Sequence, residues 1–147
     1  LMGIRALPTF QVSFSDVSLS LDARLGGEKG IDYGQLLSRS RIALGGLAVG
    51  VARASFEYAR NYAKERVQFG SPIATKQAVA FKLADMAIEV DAARLLVWEA
   101  AWNADAKNDL IAIATQLKQH SARMALFVAD NGVQVLGGHG YIREHPV

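Results

Sequence analysis

Arg66, Gln68 and Phe69 stand within four residues of one another in Lys64-Glu65-Arg66-Val67-Gln68-Phe69-Gly70, with Pro72-Ile73 and Gln77 close behind. A guanidinium grips phosphate as a two-pronged fork, and an aromatic ring beside it can stack on a planar base. The same residue types suit a plainer role, an arginine complementing the dipole of a helix C-terminus with Phe69 as a hydrophobic cap. Composition alone favours that plainer role. A second cluster is Gln134-Val135-Leu136-Gly137-Gly138-His139-Gly140-Tyr141. One glycine is enough to end a helix. Three point to backbone lying against something flat or bulky.

Other chemistry is thinly represented. The histidines are His120, His139 and His145, and no glutamate stands three residues before any of them. The Glu-x-x-His pairs of di-iron bundles are therefore absent. The carboxylates are scattered along polar faces as solvated charges or i,i+4 partners, so no metal site is expected. Gly137-Gly138-His139-Gly140 follows a helix rather than a strand, which removes the context a dinucleotide fingerprint needs. The lack of cysteine excludes disulfides, thiolate metal sites and a cysteine nucleophile, and fits a reducing compartment. A net charge of +2 is too small an excess for a nucleic-acid binder. The longest apolar run, Ile42 to Ala52, falls short of the ~20 residues a membrane span needs. No charged-then-apolar leader opens the chain, and Leu1-Met2 reads as a cut end.

The elements that must position the two clusters are mostly helices. The chain's 147 residues suit one domain with a sizeable core. Phe10, Val12 and Phe14 alternate with Gln11 and Ser13, which predicts a half-buried strand over Thr9 to Phe14. Gly26-Gly27 and Gly30 then break the chain. From about Ile31 to Arg66 the spacing predicts a long helix, with Leu44, Leu47, Val51, Ala54 and Tyr58 on one face. Gly45, Gly46 and Gly50 lie in the same turns, and each glycine lowers helix propensity by roughly 1 kcal/mol relative to alanine. Their presence implies a close neighbour.

A second helix is predicted from about Pro72 to Ala106. Its Val79, Leu83, Met86, Val90, Ala93 and Val97 alternate spacings of four and three, the seam of shallow-angle bundle packing. Asn108-Asp109 supplies a turn and an N-cap. A third helix then carries Leu110, Ile113, Leu117, Met124 and Val128 on one face and closes at Gly137-Gly138. Tyr141 to Val147 read as extended because of Pro146. Short connections between long helices give an up-down antiparallel bundle, mainly α, with its fourth helix missing and a short β remnant at the N-terminus.

Taken jointly, Arg66-x-x-Phe69-Gly70 with Pro72-Ile73 and Gln77, then Gln134-x-x-Gly137-Gly138-x-Gly140-Tyr141 and Glu144-x-Pro146-Val147, resemble the acyl-CoA dehydrogenase family. Met2-Gly3-Ile4-Arg5, Val12 to Val17 and Leu25-Gly26 resemble the end of that family's middle β-domain. The resemblance covers essentially the whole chain. It implies that residues 1–27 close the β-domain and that residues 28–147 form an incomplete C-terminal helical domain.

The resemblance also implies a function. The family uses FAD to oxidise the Cα–Cβ bond of acyl-CoA thioesters in fatty acid metabolism: a carboxylate removes the α-proton and the flavin accepts the β-hydride. Arg66 matches the arginine that contacts the FAD pyrophosphate of a neighbouring subunit, and Gln68 and Phe69 match its neighbours. Gln77 matches a further FAD-side position. Gln134, Gly137 and Gly138 match the backbone that packs on the cofactor's adenosine diphosphate. Arg41 matches a first-helix arginine near the CoA and acyl pocket, which makes Gly45 and Gly46 helix-packing positions. Ser38 replaces an acidic residue of many relatives, and Ser40 stands where a subset carries its base. In most members the base is a glutamate beyond Gly-Gly-x-Gly-Tyr, expected here beyond Val147; Glu144 is a loop carboxylate. A dimer or tetramer, an electron-transferring flavoprotein as acceptor, and a cytoplasmic or mitochondrial-matrix setting are implied too. The chain alone is expected to be inactive and to expose the apolar strip meant for a fourth helix. An acyl-CoA oxidase, a flavin monooxygenase of the same fold and a non-catalytic helical subunit are the other readings the motifs allow.

Overall fold

The computed structural model describes residues 9–147. The motif Met2 to Arg5 lies outside them. The chain divides into two compact units, residues 1–32 and 33–147.

Within the described part of the first unit, two 3-10 turns form at Leu21–Ala23 and Gly27–Lys29. The strand expected over Thr9 to Phe14 does not form. Alternation alone does not make a strand, since ladder hydrogen bonds need a neighbour. No partner strand exists for it among the described residues, and Phe10, Val12 and Phe14 all stay exposed.

The second unit is three long helices: α1 Tyr33–Glu65, α2 Gln77–Asp105 and α3 Ile111–Leu136. Between α1 and α2 lie β1 Val67–Gln68 and β2 Ser71–Pro72, paired antiparallel, and a 3-10 turn at Ile73–Thr75. Side chains across the bundle define its directions. Lys82 reaches Asn131 and Glu89 faces His120, so α2 and α3 run antiparallel. Arg41 reaches Thr115 while Tyr62 reaches His139, so α1 and α3 run parallel. The up-down-up order is therefore present.

The α2 seam lies in the core as its spacing predicts, with Met86, Val90 and Ala93 buried and Val79, Leu83 and Val97 packed against them. On α3, Leu110, Ile113, Leu117, Met124 and Val128 are all buried. Asp109 accepts a hydrogen bond from the Ile111 amide at 3.0 Å, satisfying one of the unpaired donors at the start of α3. On α1 the structure corrects the sequence reading. Leu44, Leu47 and Val51 are 58%, 50% and 59% exposed, and the face that packs is Gly45, Val49, Ala52, Ser55, Ala59 and Ala63. Small side chains let the α1 and α3 backbones approach closely. A methyl group built on Gly45 would sit 2.7 Å from Leu117 Cγ, and one on Gly132 would sit 2.6 Å from Ser55 Oγ. Gly46 has only an ordinary 3.9 Å neighbour and Gly50 has none, so close packing accounts for Gly45 alone.

A second difference follows α3. Gly138–Tyr141 forms a single helical turn, α4, where the sequence reading ended the helices.

Candidate functional site

Arg66 follows directly on α1. Its amide donates to the Tyr62 carbonyl at 2.8 Å, the last helical bond, and its carbonyl accepts from the Ile73 amide at 2.8 Å. The residue is thus pinned from both sides while its side chain points outward. Val67–Gln68 then turns back onto Ser71–Pro72 through Phe69-Gly70, where both residues have positive φ, +53° and +79°. A two-residue hairpin loop requires this geometry because its twist matches that of the paired strands. Glycine adopts it freely, whereas a phenylalanine there is strained by an amount of order 1–3 kcal/mol. The strand pairing sustains that strain and leaves the Phe69 ring at the tip, 94% exposed.

The second motif arrives from the other side. α3 ends at Leu136, and Gly137 takes φ +59° and ψ −129°, outside the range of residues with side chains. Its amide bonds back to the Val133 and Gln134 carbonyls, closing the helix. At Gly140 a methyl group would collide with the Val133 carbonyl oxygen at 2.6 Å, so this glycine allows α4 to fold against α3. Gly138 is different. A methyl group there meets nothing within 4 Å. Backbone conformation accounts for Gly137 and packing for Gly140, while the middle glycine faces open space.

That open space is a cavity of about 500 Å3. Arg66 and Gln68 line one side of it and Gly137 and Gly138 the other, with Tyr62, His139, Ile73, Val135 and Leu136 completing the wall. Its size falls within the ~300–1,000 Å3 typical of small-molecule sites. No carboxylate lines it, and no carboxylate lies within 4 Å of Arg66 among the described residues. The cavity therefore carries an unneutralised guanidinium beside bare peptide, an arrangement suited to an anion.

The other residues singled out from sequence lie elsewhere. Phe69, Gln77 and Gln134 are exposed and do not line the cavity. Arg41 donates from Nη1 to Thr115 Oγ1 at 3.3 Å, near the opposite end of α1. Twenty-four residues of helix separate Arg41 from Glu65, about 36 Å at a rise of ~1.5 Å per residue. Sequence reasoning passed over Tyr62 and His139, which line the cavity and are joined by a 2.8 Å hydrogen bond between the tyrosine hydroxyl and Nδ1. The available signal was Tyr58 and Tyr62 one turn apart on α1, paired with His145 and His139 beyond α3. No group of three metal-binding side chains occurs among the described residues, and no helix of them is long and apolar enough to cross a membrane.

Comparison with known proteins adds independent observations. The family described as "Acyl-CoA dehydrogenase, C-terminal domain" matches residues 29–147. Benzylmalonyl-CoA dehydrogenase of Aromatoleum aromaticum is 42% identical over 99% of this chain and 40% of its own length. The human mitochondrial short-chain specific acyl-CoA dehydrogenase is 37% identical over 99% of this chain and 36% of its own. The structure of butyryl-CoA dehydrogenase from Megasphaera elsdenii superposes with a TM-score of 0.78 at 36% identity, covering 82% of this chain and 32% of that one. The chain thus spans roughly two fifths or less of the length of these relatives.

Proposed function

The chain belongs to the acyl-CoA dehydrogenase family, and from that premise we propose that it supplies the helical, nucleotide-holding part of an FAD-dependent enzyme that desaturates an acyl-CoA thioester between Cα and Cβ. Bound flavin supplies acceptance of the hydride, while the protein supplies binding and orientation. In this reading Arg66 forks a phosphate of the cofactor, with Gln68 as an amide donor beside it. Gly137 and Gly138 offer peptide on which the adenosine diphosphate lies. Phe69, Gln77 and Gln134, exposed around this region, contact the same cofactor where a second protomer brings it close. Arg41 serves the CoA and acyl side. Its distance along α1 from Arg66 supports two ends of one helix serving two different sites, one for the acyl-CoA and one for the cofactor, as in a homodimer or homotetramer.

No residue of this chain is assigned as the base. The family pattern puts a glutamate beyond Val147, so the chain alone is expected to be inactive. We infer that residues 1–27 close a β-domain and that residues 28–147 are the C-terminal bundle. An electron-transferring flavoprotein is the expected acceptor, and the cytoplasm or a mitochondrial matrix the expected setting.

The observation that carries this reading is the shared cavity, with an unpaired Arg66 on one wall and Gly137-Gly138 on the other. Its test uses the adenosine diphosphate half of the cofactor. Titrating ADP into the 15N-labelled chain should shift the amide signals of Arg66, Gln68, Gly137 and Gly138. Arg66→Ala should weaken ADP by roughly 10- to 100-fold, the worth of a hydrogen bond to a charged group. Millimolar ADP that moves none of these signals would refute it.

A further inference from the structure

His139 is half-buried on the cavity wall, and three contacts fix its ring. Its Nδ1 lies 2.8 Å from the Tyr62 hydroxyl, and the Tyr62 ring meets it edge-on at 5.8 Å between centroids. On the other side the His145 ring packs at 5.3 Å, itself held by a 2.7 Å hydrogen bond between its Nδ1 and the Tyr58 hydroxyl. Tyr58 and Tyr62 stand one turn apart on α1, so the helix presents two hydroxyls to two imidazoles at matching spacing.

The 2.8 Å contact fits two tautomers, the hydroxyl donating to Nδ1 or Nδ1–H donating to the hydroxyl oxygen. Nδ1 of His139 is the one acceptor within reach of the Tyr62 hydroxyl among the described residues. A phenol hydroxyl is a stronger donor than a neutral imidazole N–H, and an imidazole nitrogen a stronger acceptor than a phenol oxygen, which favours the hydroxyl donating to Nδ1. With Tyr62 donating to Nδ1, the neutral imidazole carries its hydrogen on Nε2. The second nitrogen has no partner among the described residues. In that tautomer it is a donor on a residue that lines the same cavity as Arg66, with no carboxylate among the lining residues.

We propose that His139 is a further binding residue of this cavity, donating Nε2–H to a phosphate oxygen of the ligand, and that Tyr62 is the positioning residue that fixes its tautomer and orientation. The inference rests on the nucleotide reading of the cavity and adds to it a contact from a side chain of this wall. The ligand chemistry is a phosphate anion. ADP, pyrophosphate and adenosine used as separate probes tell whether the anion alone, or the anion with its nucleoside, is recognised.

The experiment measures binding to the 147-residue chain and its His139→Leu, His139→Gln and Tyr62→Phe variants. His139→Leu should weaken ADP and pyrophosphate roughly tenfold or more, the scale of a charge-assisted hydrogen bond, and leave adenosine unchanged. His139→Gln carries an amide donor near the position of Nε2 and should recover most of the loss. Tyr62→Phe should give a smaller loss. In the wild-type chain, 15N resonances of the His139 ring should show hydrogen on Nε2, and in Tyr62→Phe a mixture of tautomers. ADP affinity that is equal in His139→Leu and wild type overturns this inference and leaves the cavity reading standing. If His139→Leu does not fold, two observations decide instead: hydrogen on Nδ1 in the wild-type chain, or a His139→Gln affinity for ADP roughly tenfold or more below wild type, overturns it. A wild-type chain whose cavity signals ignore ADP overturns both.

Discussion

The three glycines after α3 separate folding from binding, because the same substitution meets a different obstacle at each. Alanine at Gly140 would bring its methyl within 2.6 Å of the Val133 carbonyl oxygen and 2.9 Å of its Cα. The backbone must shift to relieve that contact, a destabilisation of about 1–3 kcal/mol. At Gly137 the obstacle is φ +59° with ψ −129°, and forcing a side chain there carries strain of order 1–3 kcal/mol. At Gly138 neither applies. The added methyl touches nothing within 4 Å, and alanine in a helical turn is preferred over glycine by up to about 1 kcal/mol. Gly138→Ala should therefore unfold in urea at or above the wild-type midpoint, while the other two variants unfold earlier. Binding should rank differently. Gly138 lines the cavity, so a methyl placed where phosphate or ribose lies on the peptide costs about 1–3 kcal/mol of affinity, roughly 5- to 150-fold. Calorimetric or NMR titration with ADP reads that loss. A Gly138→Ala chain of undiminished stability and undiminished ADP affinity would show that no ligand rests on this peptide.

Three further outcomes follow from packing and charge. Gly45→Ala pushes a methyl against Leu117 at 2.7 Å, so about 1–3 kcal/mol of overpacking outweighs or cancels the ~1 kcal/mol helix gain, whereas Gly50→Ala, with no neighbour, should stabilise by about 1 kcal/mol; equal urea midpoints for the pair would refute the close α1–α3 approach. The exposed Leu44, Leu47 and Val51 should drive the chain to self-associate, each contributing on the order of 1 kcal/mol at ~25 cal/mol per Å2. Sedimentation should find dimers or larger species that the triple glutamine variant dissociates, and a wild-type monomer at every concentration would contradict this. The Arg53 guanidinium, 2.8 Å from Glu57, holds that carboxyl below its ordinary value of 4.5. A lowered folded-state value means the pair stabilises above the ordinary value and the contribution fades as pH falls through the folded one. Both side chains are largely exposed, so Glu57→Gln should remove only a slight acid-side slope from the stability profile.

Much of the architecture was legible in the sequence because periodicity reports burial directly where large side chains do the packing. The α2 seam from Val79 to Val97 and the α3 face from Leu110 to Val128 lie in the core as their spacing implies. The strand over Thr9 to Phe14 was misread for a physical reason. Alternation describes which faces a strand would present, but pairing needs a second segment, and none is available among the described residues. In the cavity, Arg66, Gln68, Gly137 and Gly138 stood out in the sequence because arginine, glutamine and an aromatic are grouped in one stretch and because the glycines outnumber what a helix end needs. Tyr62 and His139 did not, since a tyrosine on an amphipathic helix looks like any half-buried aromatic until its partner, 77 residues away, is brought to it.

α1 shows where such reading reaches its limit. The helix carries two stripes, one of leucine and valine at 44, 47 and 51, and one of glycine, alanine and serine at 45, 52, 55, 59 and 63. A hydrophobicity pattern weights the first, because transfer free energy grows with apolar area. Close helix packing selects the second, because the backbones approach only where side chains are small. Both stripes are needed if α1 sits between two layers, with α3 on the small-residue side and another helix on the leucine side. The stripe ends at Val51, about 22 Å along the helix from Arg66 at a rise of ~1.5 Å per residue. Arg66 is already held by its bonds to Tyr62 and Ile73. Covering the leucine stripe should therefore raise stability and leave ADP affinity unchanged. A partner helix that covers this face without raising the urea midpoint would show that the stripe is not a packing face.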